Sequence, residues 1–338
     1  MEYASSQILT SLLRDVSRSF HLTLRVLPGA IRPQIGLAYL LARTTDTIAD
    51  TDLVPLDQRL AALQVLAGQI ASPIPAPFPL KQLAQHQSSS AERSLLENCE
   101  TSLNLLRGLS VSDRDLVVAV LRTIISGQEL DLRRFGGASA SNVVALDSTA
   151  ELDDYTYRVA GCVGEFWTRM CLAHLFASAG LNEAFLLTNG VRFGKGLQLV
   201  NILRDLPTDL RHGRCYLPAD RLKALNLKPV DLLQPSNEPR LRPLYDDLLH
   251  LAAGHLEAGW AYTNQLPWRS ARVRLACAWP LLIGRNTLDL LRSGKVLNAE
   301  PRLKVSRRAV KSILWRSVLY YPWPSRWKGL FPTTSANH

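Results

Sequence analysis

GLAYLLARTTDTIAD (36–50) opens on an apolar run and closes with Asp46 and Asp50 four residues apart. Its apolar side chains recur at helical spacing, and the stretch predicts one helix over Ile35–Asp50. At i, i+4 the two carboxylates share a helix face about a turn apart and repel each other. GLQLVNILRDLPTD (196–209) repeats the arrangement, with Asp205 and Asp209 after another apolar run. Carboxylates set among apolar side chains need compensation. Two such pairs on facing helices of a bundle would form an oxygen-only cage. Oxygen ligands select hard cations, and Mg2+ is commonly shared between carboxylates and substrate phosphates. Arg43 lies one turn before Asp46, Arg204 adjoins Asp205, and Arg211 and Arg214 follow Asp209. One reading makes these surface salt bridges worth about 0–1 kcal/mol each. The other pairs carboxylates that hold metal with arginines that hold phosphate oxygens, as ionising a diphosphate requires.

Outward from these motifs the chain reads as helices divided by proline-rich and glycine-rich breaks. Residues 5–25 carry apolar positions at helical spacing, with SRSF (17–20) as an interruption. Asp57 is the expected N-cap of a helix to about Ile70. SPIPAPFP (72–79), QHQSSS (85–90) and FGGASASNVVALDSTA (135–150) are expected loops, the first because its prolines remove backbone donors. Helices are predicted over Ala91–Leu106, Ser112–Phe135 with Ser112 as cap, Glu151–Ala179, Asn182–Asp205, Leu241–Gln265 and Ser270–Arg292. No series of alternating β-branched runs appears, and the fold class is all-α.

The chain of 338 residues is 47% hydrophobic, enough for a sizeable core. Its five cysteines are scattered and form no C-x-x-C pair, which suits a reducing cytosol better than a disulfide framework or a zinc site. No secretory signal and no transmembrane run are visible, and a cytoplasmic location, or a peripheral one on the inner membrane surface, is expected. The net charge of +10 concentrates after Pro301, where Lys and Arg alternate with aromatic residues and no Asp or Glu occurs. That tail suits either an anionic membrane interface or a helix packed on the body with a solvated end.

The chain resembles the squalene/phytoene synthase family through four motifs in order: SRSF (17–20), AYLLARTTDTIAD (38–50), DYTYRVAGCVGE (154–165) and LQLVNILRDLPTDLRHGRCYLP (197–218). The resemblance spans roughly residues 10–300. It implies a single-domain helical bundle of the class I isoprenoid synthase type with a central prenyl-binding cavity, over residues 1–312. The basic, aromatic tail is then 313–338. By resemblance, Asp46, Asp50, Asn201, Asp205 and Asp209 hold Mg2+, with Mn2+ as a substitute. Arg18, Arg43 and Arg214 bind diphosphate oxygens, and Tyr39 lies near the ionising group. Ser19, Phe20 and Gln198 adjoin the substrate. Tyr155 is linked to proton removal as a cyclopropane ring closes, and Val159, Val163 and Trp167, at four-residue steps from it, line the prenyl channel.

The implied activity is that of squalene synthase, which condenses two farnesyl diphosphates through presqualene diphosphate and reduces the product with NADPH. The alternatives are a dehydrosqualene or phytoene synthase without NADPH, and an enzyme forming presqualene diphosphate or hydroxysqualene. Thr47 after the first aspartate favours squalene, while Leu281 after Pro280 and Ala49 before Asp50 depart from the family pattern. Pro207 inside the second motif predicts a kink that leaves the direction of Asp209 open. No G-x-G-x-x-G is visible, so a nicotinamide site would lie elsewhere, with Lys295–Arg308 as one candidate. A nucleic-acid module accounts for the charge but not for carboxylate pairs in apolar helices, and no nucleic-acid partner is expected. A head-to-tail prenyltransferase or terpene cyclase would show D-D-x-x-D, which is absent. A monomer or weak dimer is expected.

Overall fold

A computed structural model describes residues 11–16, 20–74, 80–300 and 302–332. Apart from one small sheet these residues are helical or in connecting turns. Their contacts fall into two compact units, residues 1–136 with 166–178, and residues 137–165 with 179–338.

In the first unit the Arg32–Ala49 helix packs against five others: Phe20–Val26, Leu56–Ala71, Ser90–Glu97, Cys99–Arg107 and Val111–Phe135. Neighbours on so many sides explain why its sequence is apolar around most of its circumference. Leu40, Leu41 and Ile48 are fully buried, each worth about 1.5–3 kcal/mol of transfer. Its threonines stay helical by bonding back to their own turn. The Thr44, Thr45 and Thr47 hydroxyls donate to the carbonyls of Leu40, Ala42 and Arg43 at 2.7–2.9 Å. Elsewhere in this unit the buried Asp113 carboxylate meets the His174 ring at 2.7 Å.

In the second unit the Glu183–Arg211 helix is the centre, packed against Glu238–Gln265, Ala271–Ser293 and the Thr149–Gly161 segment. Asn182, the first residue of the predicted helix, caps its start by accepting from the Phe185 amide at 3.0 Å.

Several local expectations are corrected. The 135–150 loop contains a strand, Val144–Leu146, that pairs in parallel with Arg214–Pro218. Ala91–Leu106 is two helices broken at Asn98, whose side chain bonds back to the Ser94 carbonyl. Ser110, not Ser112, caps the following helix by accepting from the Asp113 amide. Asp57 lies in the first turn of the Leu56–Ala71 helix rather than at its cap, because Pro55 occupies that position. Glu151–Ala179 divides into Thr149–Thr156, a π-helical turn at Tyr157–Gly161, and Cys162–His174.

Part of the tail packs on the body. The Arg307–Tyr320 helix crosses residue 312 and packs on Ala271–Ser293, and Trp327 and Phe331 are buried against Trp260. Arg274 clamps this end: its guanidinium lies over the Trp268 and Trp327 rings at 4.7 and 5.3 Å and donates to the Leu266 carbonyl at 2.6 Å. All five cysteines are buried and none forms a disulfide. Among the described residues no helix is long and apolar enough to cross a membrane.

Candidate active site

Tyr39, Arg43 and Asp46 stand along the Arg32–Ala49 helix at i, i+4 and i+7, one stripe of a 3.6-residue period. Asp50 is the residue after the helix, yet its amide still bonds to the Asp46 carbonyl at 2.8 Å. The i, i+4 relation of the two carboxylates is therefore kept. Burial, then the charge of Asp50, pushes the Asp46 pKa up to about 6, against the lowering effects of Arg43 and of a hydrogen bond from Gln128. Its side chain is still 47% accessible, so the carboxylate is crowded by protein without being sealed from water. Arg43 is divided between two acids, 3.8 Å from Asp46 and 2.6 Å from Glu92. Tyr39 donates to the Val16 carbonyl at a long 3.4 Å, and its ring packs on the cluster of Leu12, Val16, Leu40 and Leu95.

The second motif lies in a helix that does not break. Glu183–Arg211 continues through Pro207. Proline cannot donate to the carbonyl four residues back, Leu203. The buried Tyr245 hydroxyl donates to that carbonyl instead, at 2.9 Å. The helix therefore runs past Asp205, where the sequence predicts its end, and reaches Asp209, which is half-buried. Asp205 is already compensated. Burial raises its pKa, but Arg204, at 2.5 Å, and Arg302 hold it below the usual carboxylate range. Gln198 is half-buried and Asn201 exposed on the same helix.

Arg214 begins the second strand, directly after a tight approach. Gly213 has φ +78°, and a Cβ there would stand 2.2 Å from the Ser139 amide nitrogen. Only glycine meets both conditions. Two residues on, Tyr216 is buried and stacks on Tyr155 with ring centroids 4.7 Å apart and planes at 24°.

After Tyr155 the π turn changes the register. The Cys162 amide bonds back to the Tyr157 carbonyl, five residues earlier. The turn therefore alters how Tyr155, Val159 and Val163 are spaced around the helix. Val159 is half-buried, and Val163 is 38% exposed. The Trp167 indole nitrogen is buried with no acceptor among the described residues. The turn lies close against Glu183–Arg211, where a Cβ on Gly164 would be 1.8 Å from the Gly190 carbonyl oxygen and one on Gly194 2.0 Å from that of Ala160.

Arg18 and Ser19 lie outside the described residues, as does the side chain of Phe20. Sequence reasoning missed Glu92, Gln128, Arg302, Tyr216 and Tyr245. Each is a lone polar or aromatic residue with no spacing to mark it, except Tyr216, which stands inside a quoted motif. Among the described residues no three His, Cys, Asp or Glu side chains form a group that could hold a metal ion on their own.

Comparison with known proteins bears on this arrangement. A bifunctional lycopene cyclase/phytoene synthase of Colletotrichum graminicola is 29% identical over 72% of this chain and 39% of its own length. The chain thus spans less than half of that relative. A presqualene diphosphate synthase of Rhodopseudomonas palustris is 29% identical over 81% of this chain and 82% of its own. The solved complex of TcSQS with the ligand E5700 superposes with a TM-score of 0.75 at 21% identity, over 98% of this chain and 93% of that one, which establishes a shared fold. The family described as Squalene/phytoene synthase matches residues 13–309, so the chain carrying these two acidic motifs belongs to that family.

Proposed function

We propose that this chain is a magnesium-dependent prenyltransferase that joins two farnesyl diphosphates head to head through presqualene diphosphate, and reduces the product to squalene with NADPH. The observation that carries the ionisation step is the Asp46–Asp50 pair, where one carboxylate raises the pKa of the other and Arg43 is shared with Glu92. A carboxylate pair whose members repel, accessible to water and flanked by arginine, fits a hard divalent cation.

Asp46 and Asp50 would hold magnesium in the first unit, and Asn201, Asp205 and Asp209 in the second. Bound magnesium supplies the positive charge that stabilises a departing diphosphate. Arg43 and Arg214 would hold diphosphate oxygens while the allylic C1–O bond breaks. The double bond of the second substrate then attacks C1, and a proton leaves as the cyclopropane closes. Tyr155, its ring held on Tyr216, is the group assigned to that proton. Val159 and Val163 belong to the apolar wall that keeps water from the cations. Arg204 and Arg302 would exchange their carboxylate partner for diphosphate when substrate arrives.

The squalene product rests on Thr47 after the first aspartate. A second reading, a reaction that stops at presqualene diphosphate, is favoured by the name of the Rhodopseudomonas palustris relative. Purified protein incubated with farnesyl diphosphate and Mg2+, with and without NADPH, separates the two. Squalene formed only with NADPH is expected. Presqualene diphosphate under both conditions overturns the reductive step, and a C30 polyene without NADPH overturns the product. Full turnover by Asp46→Asn would end the ionisation account.

A further inference from the structure

The geometry points to the outer face of the Arg307–Tyr320 helix, continued by Trp323, as a surface that seats on an anionic lipid bilayer. The inner face is fixed. Ser317 is fully buried and accepts from the Trp279 indole nitrogen at 2.9 Å, and the chain beyond is anchored by the buried Trp327 and Phe331. The helix therefore has no freedom to turn its other side inward.

That other side carries Arg308, Lys311, Trp315, Val318 and Leu319 at i, i+3, i+7, i+10 and i+11, which is one stripe of a helical wheel. Trp315 is 74% exposed, Val318 50% and Leu319 54%. Trp323 follows at 48%, with the Arg326 guanidinium 5.4 Å from its ring centre. Apolar side chains grouped at this exposure mark an interaction site rather than ordinary surface scatter. Indole rings with basic side chains beside them suit the headgroup layer, where one part of the ring is apolar and the other wet.

Charge selects the partner. From Pro301 to the end the chain has eight Lys and Arg and no Asp or Glu. A second copy of the same face would bring like charge against like charge. Nucleic acid would satisfy the cations, but Val318 and Leu319 offer it neither a stacking ring nor a hydrogen bond. An anionic bilayer accepts both the cations and the aliphatic side chains.

Vesicle binding by the full chain, read without any prenyl substrate, keeps this inference separate from the reading of the acidic motifs. Sedimentation is compared for phosphatidylcholine vesicles and for vesicles of phosphatidylcholine and phosphatidylglycerol in equal parts. Pelleting with the anionic vesicles only, weakened by salt, is expected. Arg308→Glu with Lys311→Glu should lower the apparent affinity about thirtyfold or more, and Trp315→Ser with Leu319→Ser about tenfold or more. Both variants should keep the melting temperature, since all four side chains are exposed. Equal pelleting with both lipids, none with either, or retention by both variants overturns the proposal. So does a dimer formed without lipid that the Trp315→Ser, Leu319→Ser variant disperses, or RNA binding that the same variant leaves intact.

Discussion

The Tyr245 hydroxyl donates to the Leu203 carbonyl at 2.9 Å, the acceptor that Pro207 deprives of its backbone partner. A side chain from a neighbouring helix thus completes the ladder on which Asp205 and Asp209 stand. Tyr245→Phe leaves a buried carbonyl unpaired and should cost about 1–3 kcal/mol. Pro207→Ala restores the amide, and the double variant should recover most of that loss. Denaturant unfolding of the four proteins measures the coupling, and additive losses would show that the hydroxyl does not substitute for the amide.

Asp46→Asn should part stability from activity. The substitution removes a charge opposed by burial and by Asp50, so the melting temperature should stay level or rise. Turnover of farnesyl diphosphate should fall about a hundredfold or more, the scale seen when a group that stabilises developing charge is lost. Calorimetry beside steady-state kinetics reads both. Parallel losses would make the carboxylate structural.

His255 should make the fold acid-sensitive. Burial, then the charges of Arg192 and Lys195, lowers its pKa from 6.5 to about 4, against the opposing charge of Asp153. Between those values the unfolded chain binds the extra proton, so stability present above pH 6.5 is lost as pH falls toward 4. His255→Gln should flatten that slope. Melting curves of both proteins across the interval test it, and parallel curves would count against the imidazole.

Three glycines should diverge. Gly164→Ala and Gly194→Ala each drive a methyl into backbone at 1.8 and 2.0 Å and should cost about 2 kcal/mol or more. Gly254 lies inside the Glu238–Gln265 helix with open space around it, so Gly254→Ala should stabilise by about 0.5–1 kcal/mol. Chemical denaturation distinguishes the two outcomes.

The long helices were readable because their apolar period is repeated over many turns, and the proline-rich and glycine-rich breaks bounded them. The acidic spacing was readable for the same reason, since four residues on a helix define a face. What escaped had no period to carry it. Val144–Leu146 is too short for alternation to register. Ser110 and Ser112 are equally good caps in sequence, and backbone direction decides between them. The continuity through Pro207 depends on Tyr245, thirty-eight positions downstream, whose relation to Leu203 exists only after the helices pack. Arg302 reaches Asp205 by the same long-range route.

The π turn at Tyr157–Gly161 makes segment length, as well as residue identity, a condition of the site. It holds one residue more than an α-helical turn would need. Deleting that residue would let the two flanking helices fuse into one α-helix and swing the upstream part by about 100° around the common axis. Tyr155 would be carried off the Tyr216 ring although every side chain named here was still present. A family member lacking a single residue there would therefore aim its tyrosine elsewhere, and aligned letters alone would not reveal the change.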